Sequence, residues 1–237
     1  RNFFGAANGY NDVVDFTGGN RPAPILHFID NVFIGTGDDQ LDLDGTDAWI
    51  EGNIFLHAHK NGSPDSSSAI SGGNDGSNTS ELTIVGNLFY DCDQAAMAKQ
   101  GNFYTFLNNT IVRQTCQGGL ETAAAVVRLA DAGVAEGAGM YLEGNIIADA
   151  EGLVLERTNA VVTLTNNLIH KLAGIAWTGP GGNSPTNDPL FVYIPSLPDT
   201  TNFTSWASAQ VMREWFALRT GSPALDAGPN RGDQGGM

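Results

Sequence analysis

The chain has 237 residues, 41% of them hydrophobic and 16% charged, enough apolar material for one packed all-β domain. Its 26 acidic residues against 11 basic ones give a formal charge of -15, which argues against nucleic acid or an anionic membrane surface as partner and makes any acidic ligand dependent on an intervening cation. No apolar run approaches the roughly 18 residues of a membrane span, and two cysteines neither force nor exclude an oxidising compartment.

The first element belongs to a repeat. Asn2-Phe3-Phe4 follows a pattern of asparagine, any residue, then Phe or Ile that returns at Asn31, Asn53, Asn87, Asn109, Asn145 and Asn167, with gaps of 29, 22, 34, 22, 36 and 22 residues. A recurring period of 22 is the mark of a solenoid. Because the pattern is already under way at residue 2, the chain is expected to be cut from a longer polypeptide with flanking domains.

From Asn31 onward each asparagine closes a short run of β-branched and aromatic residues at period two: ILHFID, AWIEG, LTIVG, YTFLN, MYLEG and VTLTN. Between asparagines lies a second set of strand candidates, NDVVDF, DDQLDL, SSAIS, AAMAK, AVVRL and GLVLE, so each coil holds at least two strands. The asparagines are expected at left-handed bends, with stacked copies hydrogen-bonding along the axis. The longer gaps accommodate inserted loops such as HKNGSPDSSS and ADAGVAEGAG.

Aligning the first strands puts Asn11–Phe16 beneath Asp38–Leu43. Val14, Phe16, Leu41 and Leu43 then face inward, while Asp15 and Asp42 point outward on adjacent rungs about 5 Å apart. Asp38 sits at the strand entrance and Asp44 further along. Four carboxylates within Asp38–Asp44 repel one another unless a cation lies among them. Oxygen donors in this number suit Ca²⁺, held by Asp15, Asp38, Asp39 and Asp42; the plainer alternative is a solvated acidic face whose aspartates cap turns.

Further along, His27 within ILHFID is expected to be buried. His57-Ala58-His59 places two imidazoles on one side of an extended chain, either a transition-metal pair or a polar loop edge, and both are candidate substrate contacts. Lys60 stands at the mouth of the first inserted loop, Asn74 and Asp75 fall in a turn-like GGNDGSN, and Cys92 and Cys116 could meet in consecutive coils as a disulfide or as free thiols. Coils are expected over 1–187. Residues 188–237 change character, with a helix over Thr204–Arg219 whose N-cap is Thr204 or Ser205, and are expected to cap the open end.

A coil of about 22 residues with its strands in fixed order and no helix-length connection resembles the right-handed parallel β-helix of the pectate-lyase-like superfamily over about 170 residues. The motif Asp38-Asp39-x-x-Asp42, with an aspartate one coil earlier, resembles the calcium site of polysaccharide lyase family nine. The resemblance implies a calcium-dependent, secreted or cell-surface protein that cleaves an acidic polysaccharide, with a lysine as the base. Lys99 occupies the corresponding strand and Lys60 is the second candidate. If Met97 stacks on Leu41, however, Lys99 turns inward and needs a one-residue bulge to reach the site. Arg128 is the outward basic residue available to a polyuronate. Gly37-Asp38-Asp39 also resembles the paired aspartates of polygalacturonases, although the Gly-His-Gly and Arg-x-Lys elements are missing. A non-catalytic β-helix module that contacts carbohydrate or acts as a spacer is the alternative from a different class.

Overall fold

The computed structural model describes residues 1–59, 67–116, 124–130, 133–155, 157–173, 185–228 and 232–235. Its strands form three parallel sheets in which each strand pairs with the one three places along the chain, a solenoid-like all-β arrangement. One sheet stacks Val14–Asp15, Leu41–Asp42, Ser68–Gly72, Gln94–Ala98, Ala125–Arg128 and Val154–Leu155; another stacks Leu26–Ile29, Ala48–Glu51, Leu82–Val85, Phe103–Leu107, Gly139–Glu143 and Val161–Thr165. These are the two strand sets expected from the repeat. The remaining sheet begins at the asparagine pattern itself, with Phe3–Phe4, Val32–Phe33, Ile54–Leu56, Leu88–Cys92, Thr110–Gln114, Ile146–Ala150 and Leu168–Leu172. Below, the asparagine sheet is called the first, the sheet of Leu41–Asp42 the second and the sheet of Ala48–Glu51 the third.

In-register stacking builds the core. Phe4, Phe33, Phe55 and Phe89 lie face to face with centroid separations of 4.6, 4.9 and 5.0 Å, close to the rung spacing of a parallel sheet. In the second sheet Leu41, Ile70, Ala96 and Val127 are aligned and buried; in the third, Ile50, Ile84, Phe106, Leu142 and Leu164 form a like column. Phe16, expected inward, is instead 40% exposed at the outermost described rung of the second sheet. His27 likewise points outward beside Trp49 and is exposed.

The seven asparagines form an unbroken ladder. Each side-chain amide donates to the carbonyl oxygen of the next asparagine, over 2.8 to 3.0 Å from Asn2 to Asn167, and each backbone N–H donates to that same oxygen. The left-handed residue is the one before: Asp30, Gly52, Gly86, Asn108, Gly144 and Asn166 all have φ between 51° and 67°. That division corrects the sequence expectation. The bend is made by one residue, and the asparagine following it supplies the hydrogen bonds that hold the next rung.

Both faces of the first sheet are apolar. Its outward residues Ile54, Leu56, Leu88, Tyr90, Val112 and Ile146 pack against Phe191, Met212, Phe216 and Ala224. The described residues after Pro185 therefore cover the flank of the solenoid, where an end cap was expected. Two short helices, Trp206–Ala209 and Val211–Trp215, replace the single predicted helix, and Ser205 caps the former by accepting from the Ser208 N–H. Trp206 donates from its indole nitrogen to the Asp30 carbonyl at 2.7 Å, and Arg213 reaches the Gly52 carbonyl and the Asp30 carboxylate, so the segment spans back over early coils. Cys92 and Cys116 do not form a disulfide, since the register places Gln114 beside Cys92. Among the described residues no helix is long and apolar enough to cross a membrane.

Candidate acidic site on the second sheet

The register of the second sheet fixes where each charge falls. Asp15 aligns with Asp42, Asp42 with Ser71, Ser71 with Met97 and Met97 with Arg128, forming one outward column. Asp15 and Asp42 are therefore neighbours on adjacent rungs, as expected. Three residues before that pair, a second column begins. Asp12 accepts the Asp39 N–H at 2.9 Å, and Asp39 accepts the Ser68 N–H at 2.8 Å. These carboxylates hold the following rung much as the ladder asparagines do, but neither can return a donor.

Asp38, half-buried, completes the entrance. One oxygen from each of Asp12, Asp38 and Asp39 lies within 4.8 Å of the other two. Oxygens sharing one Ca²⁺ at its usual bond lengths stand at most about 5 Å apart, so this trio fits a calcium ion. Two further observations favour a cation. The buried Oδ1 of Asp42 accepts no hydrogen bond, and the hydroxyl of Ser71, aligned with it on the next rung, is likewise without one. The carboxyls also resist ionisation: burial, then Asp42 and Asp38, hold Asp39 well above the usual range. Burial raises Asp12 despite its bond from the Asp39 amide, and burial with the charge of Asp44 outweighs the pull of Lys99 to push Asp42 up to about 7.

Lys99 is the cation that the chain itself supplies. Because Met97 stacks on Ser71 and Asp42, it is Ala96 that stacks on Leu41. The alternation then sends Ala98 inward and Lys99 outward with no bulge, which removes the feared one-residue slip. Its Nζ lies 3.3 Å from Asp44 Oδ1, two coils away. Gly73 lies between them, and a Cβ there would stand 3.1 Å from that oxygen and 3.2 Å from Lys99 Cε, so the missing side chain leaves room for the reach. Burial disfavours the ammonium, but Asp42, Asp44 and Asp39 outweigh it and raise the Lys99 pKa.

The other candidates are distributed elsewhere. Arg128 is buried further along the outward column, 6% exposed and followed by Leu155. His57 and His59 lie where the first sheet turns into the second, with Asp91 and Asp93 of the next coil. Burial pulls His59 down, but bonds to Asp91 and Asp93 lift it to about 9; burial raises Asp91, but the two imidazoles hold it below the usual carboxylate range. Lys60 lies outside the described residues. Asn74 and Asp75 form the expected turn, closed by a bridge from Asp75 to Asn78. Two partners escaped the sequence reading. Asp12 had a signal, since the alignment already set it under Asp39. Asp91 had none, being 32 residues beyond His59. No protein-family model, curated protein or solved structure matches this chain.

Proposed function

We propose that the chain is a calcium-binding protein of secreted or cell-surface type, a right-handed parallel β-helix akin to the pectate-lyase-like superfamily, whose second sheet engages an acidic polysaccharide. The observation that carries this reading is the convergence of Asp12, Asp38 and Asp39 beside the aligned Asp15–Asp42 pair, with Lys99 on the same face. Asp12, Asp38 and Asp39 would hold the ion, with Asp42 and Asp15 adjacent. Calcium, when bound, would receive a uronate carboxylate and acidify the proton on the adjoining carbon.

The chain's own residues divide the remaining work. Lys99 Nζ is the candidate proton acceptor for a lyase-type cleavage, whereas the burial of Arg128 removes it as a contact for a second carboxylate. As base, Lys99 must release the proton that Asp42, Asp44 and Asp39 favour. The same ion pair supports the second reading, a non-catalytic module that binds acidic glycan through calcium. Incubation with polygalacturonate and alginate, with and without chelator, separates the two. Ultraviolet absorbance from unsaturated uronide ends that disappears in Lys99→Met supports the lyase. Calcium-dependent glycan retention without that absorbance supports the module, and retention by neither glycan overturns both.

A further inference from the structure

The paired histidines raise a separate question, because every nitrogen of both rings is committed. Thr200 spends its one hydroxyl hydrogen on the Leu197 carbonyl at 2.8 Å, so at 3.0 Å from His57 Nε2 it can only accept, and that nitrogen must carry a hydrogen. His59 Nδ1 faces the Asp93 carboxylate at 2.7 Å and must likewise donate. A second proton on either ring, or a metal ion in its place, would therefore fall to His57 Nδ1 and His59 Nε2. Both are aimed at one atom: His57 Nδ1 lies 2.8 Å and His59 Nε2 3.0 Å from Asp91 Oδ2. One ligand atom from each of the three residues thus lies within 4.8 Å of the others, an arrangement satisfied either by two protons shared with the carboxylate or by one divalent cation in their place.

We propose that His57, His59 and Asp91 form a transition-metal site of the zinc class, distinct from the acidic site on the second sheet. Two imidazoles and a carboxylate are a borderline donor set that prefers Zn²⁺ and its neighbours to Ca²⁺, and three protein ligands leave a fourth position for water or substrate. The supporting shell is already built. Asp93 orients His59, Thr200 orients His57, and Arg113 Nε donates to the other Asp91 oxygen at 3.0 Å; such outer bonds fix ring orientation and ligand basicity in metal sites. The cluster is well enclosed, with side-chain exposures of 16% for His57, 11% for His59 and 1% for Asp91. A bound ion would widen the two ring-to-carboxylate separations by a few tenths of an ångström, as expected for donors sharing a tetrahedral ion at roughly 2 Å. It would tie two coils to the flank segment through Thr200.

The test uses the whole chain with Co²⁺ and Zn²⁺ alone. One equivalent of Co²⁺ at neutral pH should give the intense visible absorption of a low-coordinate ion, displaced by Zn²⁺ and lost in His57→Gln and in His59→Gln. Asp93→Asn should weaken cobalt binding roughly 10- to 100-fold while the ligands remain, whereas Asp38→Asn should leave it unchanged. Should the histidine variants fail to fold, anomalous scattering at the zinc edge from a crystal of the unaltered protein soaked in zinc chloride decides the matter. A peak bridging His57, His59 and Asp91 upholds the site. Octahedral cobalt spectra, or zinc bound only elsewhere, overturn it.

Discussion

Two columns of polar side chains run along this solenoid, and they solve the same problem with opposite consequences. The asparagine ladder stacks a group that is both donor and acceptor, so each rung satisfies the next and the column can extend indefinitely without charge. The aspartate column also holds backbone amides of the next rung, but its oxygens only accept, and their charges accumulate on burial. A self-sufficient column is structural. A column that lacks a complement leaves buried carboxyls that resist ionisation, offset in part by Lys99.

The sharpest break in the comparison is Asn87→Ala. Asn87 bonds both neighbours in the ladder and the Ile50 carbonyl from a fully buried position. Its loss should destabilise the fold by about 3 kcal/mol or more in denaturant unfolding, with no effect of calcium on that deficit. Lys99→Met should cost somewhat less, about 2 to 3 kcal/mol in calcium-free buffer, since it strands Asp42 and Asp44. Here added calcium should recover most of the loss. In the unaltered protein, calcium at a hundred times its dissociation constant should raise unfolding stability by about 2.7 kcal/mol, and Asp39→Asn should abolish that gain.

A further test separates the columns by pH. Asp42 at about 7, with Asp39 and Asp12 also raised, binds protons in the folded state that the unfolded chain has released. Calcium-free stability should therefore fall as pH rises from about 4 toward 7, by at most about 1.4 kcal/mol per unit for each such group. Thermal unfolding across that range should show the decline, and saturating calcium should flatten it. The neutral asparagine ladder contributes nothing to the slope.

Strands of the second and third sheets were legible in the sequence because a solenoid writes its local pattern once per coil. The inserted loops left that pattern intact. What the pattern could not reveal was the first sheet's double-sided burial, since an apolar strand looks the same whether its outer face meets solvent or another segment. The candidate site divides in the same way. Asp38, Asp39 and Asp42 stood out as a charge run, whereas the outward course of Lys99 depended on whether Ala96 or Met97 lay over Leu41, a one-residue matter that composition leaves open.

The sequence by itself determined the repeat, the asparagine ladder and the crowding of charge among the aspartates, because periodicity and local charge density are properties of neighbours along the chain. Only the tertiary structure decided that Asp12 joins Asp38 and Asp39, that Lys99 reaches Asp44 across Gly73, and that Asp91 meets both histidines. Those partners come from different coils. Loops of unequal length set how many residues separate them, and the hydrogen-bonded register of parallel strands alone brings them together.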